Sequence, residues 1–125
     1  EVMIFNRNVL KGAALLALFG LKGQARPLGD RLPPATLLVN ASSLGMTGEP
    51  PLVVDLSPLP EDAIVYDLVY APLETDLLLA ADERGLETID GLEMLVGQAA
   101  VAFELFFGVA APRDHDEELR ALLVA

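Results

Sequence analysis

The sequence predicts an α/β fold in which a parallel sheet is flanked by helices. Three observations carry that prediction: aliphatic, β-branched runs such as "EVMIF", "TLLVN" and "AIVYDLVY"; helical stretches that alternate with them; and glycines or prolines that punctuate the boundaries. Strand, helix, strand, helix at this spacing reads as βαβ units, which build parallel sheets.

Taken in order, "EVMIF" reads as a short buried strand and "NVLKGAALLALFG" as a helix closing near Gly20, with Gly12 a weak point inside it. Lys22 is assigned to a turn. In "PPATLLVNAS" two prolines end whatever precedes, and the Leu-Leu-Val run over residues 36–40 suits a strand covered on both faces. A turn-rich stretch runs from Ser42 to Pro60. Then "AIVYDLVY" reads as a strand, "LETDLLLAADERG" as a helix ending at Gly85, "LETI" as a short strand and "LEMLVGQAAVAFELFFG" as a long helix. "PRDHDEELRALLVA" closes the chain as a last helix, its acids in the first turn where the helix dipole favours them.

Composition narrows the function classes. A chain of 125 residues can bury one sizeable core, and no second complete domain, internal repeat or low-complexity tract is visible. Beginning at Glu1 and running straight into a strand, it is expected to be a processed chain or a piece of a longer one. Hydrophobic residues make up 53%, and mean hydropathy is +0.45. The longest near-apolar run, "GAALLALFGL", is too short to span a bilayer, so no membrane role is expected. There is no cysteine and no basic-led signal layout, which fits a cytoplasmic protein. A net charge of −11 argues against nucleic acid, whose phosphates need a basic surface. Any anionic ligand must find a local basic site.

In parallel sheets ligands bind beyond the carboxyl ends of the strands. After the first strand stand Asn6, Arg7 and Asn8, then Lys11. In a dinucleotide-binding fold the corresponding place holds the adenosine ribose, where a carboxylate suits NAD and an Arg suits the 2′-phosphate of NADP. Here it offers amide, guanidinium and ammonium. A guanidinium forks two hydrogen bonds to phosphate and stacks on adenine. A helix N-cap with two solvated cations accounts for the same residues equally well.

Within the long helix, Met94, Val101, Ala102 and Leu105 form an apolar stripe with Gln98 in its middle. A buried glutamine without partners costs roughly 1–3 kcal/mol, so something polar should meet it. A partly solvated helix end or a backbone partner would also serve. Phe103, Phe106 and Phe107 are expected in the core. His115 in "RDHDEE" is expected to cap or solvate rather than bind metal, because adjacent helical residues point apart. No metal site is expected.

The ordered set "NR", "NASSLGM", "YDLVYAPLET" and "DGLEMLVGQAAVAFELFFG" resembles the C-terminal half of shikimate dehydrogenases, NADP-dependent enzymes of aromatic amino-acid biosynthesis. The likeness runs from Val2 to about Gly108 and keeps the family's order and spacing. It implies a partial Rossmann-like domain over residues 1–125, with residues 91–125 a helical segment closing the substrate cleft. It also implies the cofactor, NADP. Asn6, Arg7, Asn8 and Lys11 match the segment that binds the adenosine 2′-phosphate, with Asn8 where the family has Thr. Asn40 and Met46 match the ends of the strand-end motif beside the cofactor. Leu68 falls where many members place a Met against the nicotinamide, Gly91 matches a glycine that lets backbone approach that ring, and Met94 follows one turn later. Tyr70 and Gln98 match residues that contact the substrate, Gln98 by a hydrogen bond between its amide and a substrate hydroxyl. Ala71 replaces a common Asn.

The first strand and Gly-rich loop of the fold are missing here, as is the N-terminal domain in which the family carries its catalytic Lys and Asp. The resemblance therefore implies no catalytic residue in this chain. It implies a partial enzyme whose substrate is a small molecule, shikimate or 3-dehydroshikimate, and whose N-terminal domain belongs to the full-length protein. A quinate dehydrogenase paralogue, another NADP-linked reductase, or a non-catalytic binding module would share these features.

Overall fold

A computed structural model describes residues 1–124, which divide into two compact units, Glu1–Pro33 and the chain from Pro34 onward. The division falls between the two prolines noted above. Each unit has its own parallel sheet.

In the first unit, β1 (Val2–Asn6) leads into α1 (Val9–Leu18), which returns to β2 (Gly23–Pro27). The two strands pair in parallel, with Val2 opposite Gly23 and Asn6 opposite Pro27. β2 is an element that the sequence reading, which assigns only Lys22 to a turn, leaves out. "GQARP" has no β-branched or aromatic residue, so its strand comes from pairing with β1 and not from its own preference. Lys22 lies just ahead of it and its carbonyl accepts the Val2 N–H at 2.9 Å. Gly12, a weak point of the helix by propensity, also has a place in the packing. A Cβ there would lie 3.1 Å from Ala25 Cβ and 3.2 Å from Ile4 Cγ2, so the glycine is the point at which α1 lies against both strands. β1 is half-buried within this unit and not fully buried.

The second unit holds β3 (Leu37–Asn40), β4 (Ile64–Asp67), α2 (Asp76–Asp82), β5 (Glu87–Ile89), α3 (Gly91–Phe107) and α4 (Asp116–Val124). Its strands run parallel in the order β3-β4-β5. The core gathers Ala63, Val65, Val69, Leu77, Leu78, Ala81, Leu92 and Val96, with Leu56 and Leu59 from the turn-rich stretch. β3 is not covered on both faces: Leu37 and Val39 are exposed while Leu38 is half-buried. Thr75 caps α2, Asp90 caps α3, and α3 stops at Gly108 in the left-handed region, φ 69°.

The stripe expected to be buried on α3 is also corrected. Leu92 and Val96 are the buried positions, whereas Val101 is 59% and Leu105 81% exposed within this chain. Phe106 and Phe107 are exposed too, and only Phe103 is half-buried, its ring 4.6 Å from that of Phe107. The buried positions of α3, Gly91, Leu92 and Val96, all lie in its first two turns. Among the described residues, no helix is long and apolar enough to cross a membrane.

Candidate functional site

At the carboxyl end of β1 the side chains form a compact turn. Asn6 Oδ1 accepts the Asn8 N–H at 2.8 Å. Asn8 is the N-cap of α1, its Oδ1 accepting N–H groups of Leu10 at 3.1 Å and Lys11 at 3.3 Å. Those two amides serve the backbone, as the capping alternative expects. Arg7 and Lys11 are exposed and, among the described residues, neither forms an ion pair. No acid stands in the first turn of α1. The first unit carries five Lys or Arg against two acids, and the second three against seventeen. The start of α1 thus carries two cations and no acid, within the more basic of the two units.

In the second unit the carboxyl ends of β3, β4 and β5 align, because Asn40 pairs with Asp67 and Tyr66 with Ile89. The loops beyond β3 and β4 carry Met46, Leu68 and Tyr70, Gly91 starts α3 against the Leu68 and Val69 carbonyls, and Met94 stands one turn further along that helix. Met46 is 41% and Tyr70 52% exposed, while Leu68 and Met94 are half-buried. Here lies a polar cluster that the sequence reading missed. Asn40, Asp67 and Thr75 are all buried, and Asn40 Nδ2 donates to Asp67 Oδ1 at 3.0 Å while Thr75 Oγ1 donates to Asp67 Oδ2 at 2.7 Å. Asn40 also donates to the Leu44 carbonyl at 2.9 Å and accepts from Ser42 N–H and Oγ. Both ends of the Asn40 amide are thus engaged inside the chain. Only the spacing of Asn, Asp and Thr at strand ends could have pointed to the cluster, and that spacing carries meaning only once β3 and β4 are paired.

Gly91 begins α3 against the backbone that follows β4. A Cβ there would lie on the carbonyl oxygens of Leu68 and Val69, so the protein's own main chain already requires glycine. The turn after Tyr70 is held by Thr47, whose N–H and hydroxyl both donate to the Ala71 carbonyl, at 2.8 and 3.0 Å. The Ala71–Pro72 peptide is cis. The side chain of residue 71 takes no part in that hold.

Gln98 is exposed and makes no hydrogen bond among the described residues. It borders a largely apolar groove of about 520 Å³ between α3 and α4, alongside Ala99, Ala102, Leu119 and Leu123. A second hollow, about 670 Å³, lies over Tyr66, Ile89, Asp90 and Arg120, and none of the expected ligand-contacting residues lines it. Burial, then Glu93 and Asp90, push the Tyr66 hydroxyl above its ordinary value. Burial raises the Asp90 carboxyl as well, but the Arg120 hydrogen bond and charge, with the N–H groups of Leu92 and Glu93, outweigh it and hold the group below the usual carboxylate range. His115 is exposed, its Nδ1 3.3 Å from Glu118. Among the described residues no group of three or more His, Cys, Asp or Glu could hold a metal ion.

Residues 91–119 match the sequence profile of the shikimate 5′-dehydrogenase C-terminal domain. A shikimate dehydrogenase (NADP(+)) of Sphingopyxis alaskensis is 67% identical over all 125 residues, which cover 46% of that relative. The structure of a Thermus thermophilus shikimate 5-dehydrogenase in complex with NADP(H) and shikimate is 37% identical, with a TM-score of 0.75 over 94% of this chain and 44% of that one. A quinate dehydrogenase from Corynebacterium glutamicum in complex with NAD is 31% identical, with a TM-score of 0.82 over 98% of this chain and 46% of that one. The chain spans somewhat under half the length of the curated relatives it matches.

Proposed function

We propose, on the premise that this chain belongs to the shikimate dehydrogenase family as part of its C-terminal half, that it supplies the cofactor-facing side of a site that interconverts 3-dehydroshikimate and shikimate. The observation that carries this reading is the 67% identity over the whole chain to a shikimate dehydrogenase (NADP(+)). The Thermus structure in complex with NADP(H) and shikimate supports the same pair of ligands.

The residues fit NADP at the adenosine end. Arg7 and Lys11 are exposed cations without an ion pair among the described residues, at a helix start without acids, and a guanidinium suits a phosphate through two parallel hydrogen bonds. Asn6 and Asn8 hold the turn that presents them. Met46, Leu68 and Met94 offer an apolar wall for the nicotinamide, and Gly91 keeps the start of α3 tight against the Leu68 backbone beside it. Tyr70 and Gln98 have polar groups free to meet substrate hydroxyls. When bound, NADPH supplies the hydride that reduces the 3-keto carbon. The carbonyl oxygen then needs a proton, which the family draws from a Lys and Asp pair outside the matched motifs. This chain's part is binding and orientation.

The test is reduction of 3-dehydroshikimate by the full-length protein with NADPH, run beside NADH and beside quinate oxidation. Turnover with NADPH and 3-dehydroshikimate is expected, and none by the isolated 125-residue chain above a heat-killed control. Efficient quinate turnover with no shikimate turnover would move the protein to the quinate dehydrogenases. Turnover by the isolated chain would show that its own residues suffice.

A further inference from the structure

The Asp67 side chain stands fully buried at the end of β4, on the same strand face as Val65, and forms no ion pair among the described residues. An apolar residue would fill that space at far lower desolvation cost. Instead, donors reach the carboxyl from three directions: Asn40 Nδ2 at 3.0 Å, the Val69 N–H at 3.0 Å and Thr75 Oγ1 at 2.7 Å. Each partner governs a different segment. Asn40 folds the loop after β3 by holding Ser42 and the Leu44 carbonyl, and Thr75 starts α2 by accepting the Leu78 N–H at 3.3 Å. Val69 lies between Leu68 and Tyr70. The first part of the loop after β3 runs on to Met46, so the segments meeting at this carboxyl carry the residues that the dehydrogenase reading places against the ring and the substrate.

We propose that Asp67 is a positioning residue that ties the loop over residues 41–46 to the turn over residues 68–75, so that Met46, Leu68 and Tyr70 meet nicotinamide and substrate in one arrangement. The proposal rests on the dehydrogenase reading above. Adenosine-phosphate binding is assigned to Arg7 and Lys11 and does not depend on this tie. Disturbing it therefore lowers turnover more than cofactor affinity.

The test uses the full-length protein with Asp67→Ala and Thr75→Val, and with Thr75→Ser as the variant that keeps the hydroxyl. In the ligand-free protein, backbone hydrogen exchange over residues 41–47 is expected to quicken by about tenfold or more in the first two variants. In steady state, kcat is expected to fall by about tenfold to a hundredfold, the scale of a small misplacement of reacting groups, while the NADPH Kd changes by less than about threefold. Thr75→Ser restores both exchange and kcat. Faster exchange confined to residues 76–82 would reduce Thr75 to a helix cap and overturn the proposal. So would a lowered melting temperature with kcat per folded molecule unchanged. Absence of wild-type turnover with shikimate would remove the dehydrogenase reading instead, and the exchange pattern would still decide whether the carboxyl ties the two segments.

Discussion

Arg120 of α4 closes a forked ion pair on Asp90, the residue that caps α3. Nη2 donates to Oδ2 at 2.5 Å and Nη1 to Oδ1 at 3.2 Å, and Nη1 also reaches Glu93 Oε1 at 3.2 Å. The same carboxyl accepts the Leu92 N–H at 2.9 Å. One acid thus starts the helix that carries Gly91 and Met94 and anchors the last helix of the chain.

This pair predicts an acid-sensitive junction. The folded-state value of Asp90 lies below its ordinary one, so its contribution is present above the unfolded value near pH 4 and is lost as pH falls through the folded value. Arg120 is raised instead, so its contribution holds throughout the working range. Arg120→Met should lower stability at pH 7 by about 1 kcal/mol, the scale of a partly exposed bidentate pair. It should also flatten the loss between about pH 5 and 3, both read from denaturant midpoints across pH. An unchanged acid limb would place the sensitivity in other carboxylates.

Gly91→Ala forces a methyl onto the Leu68 and Val69 carbonyls. Better helix propensity repays about 1 kcal/mol at most, against an overpacking cost of about 1–3 kcal/mol or more. A lower denaturant midpoint is expected. A midpoint equal to or above wild type would mean that the backbone after β4 moves aside freely.

Arg7→Ala in the full-length protein should weaken NADPH binding by about tenfold or more and leave NADH nearly unchanged, because only the 2′-phosphate needs the guanidinium. Stability should stay within about 0.5 kcal/mol, since among the described residues the side chain has no ion-pair partner to orphan. Equal losses for both cofactors, measured by titration, would assign Arg7 to the fold.

Gln98→Ala should raise the KM for shikimate and lower kcat/KM by about tenfold to a hundredfold, the size of a lost hydrogen bond to a bound ligand. The melting temperature should hold, because the exposed side-chain amide has no hydrogen bond to lose among the described residues. A destabilised protein with unchanged KM would show that the glutamine serves packing against α4.

Local chemistry made much of this legible. Asn8 before a helical run, Thr75 before "DLLLAAD", Asp90 before "GLEMLV" and Gly108 after "ELFF" are cap residues whose neighbours supply the amides or accept the left-handed turn. The four motifs that carry the family resemblance were equally plain, since each is a contiguous string of residues.

Other features depended on partners distant in the chain. "GQARP" became a strand because β1 lies beside it, and only the first two turns of the long apolar run of α3 hold buried residues. The ties of Asp67 to Asn40 and of Arg120 to Asp90 cross 27 and 30 residues. By itself, then, the sequence determined the order of the elements other than β2, the residues available to cap them and the motifs that carry the family resemblance, because those depend on neighbours within a turn or two. Tertiary structure alone decided which amides were spent inside the fold and which side chains were left free. Hydrogen-bond partners and burial are properties of segments brought together in space, and no local pattern encodes them.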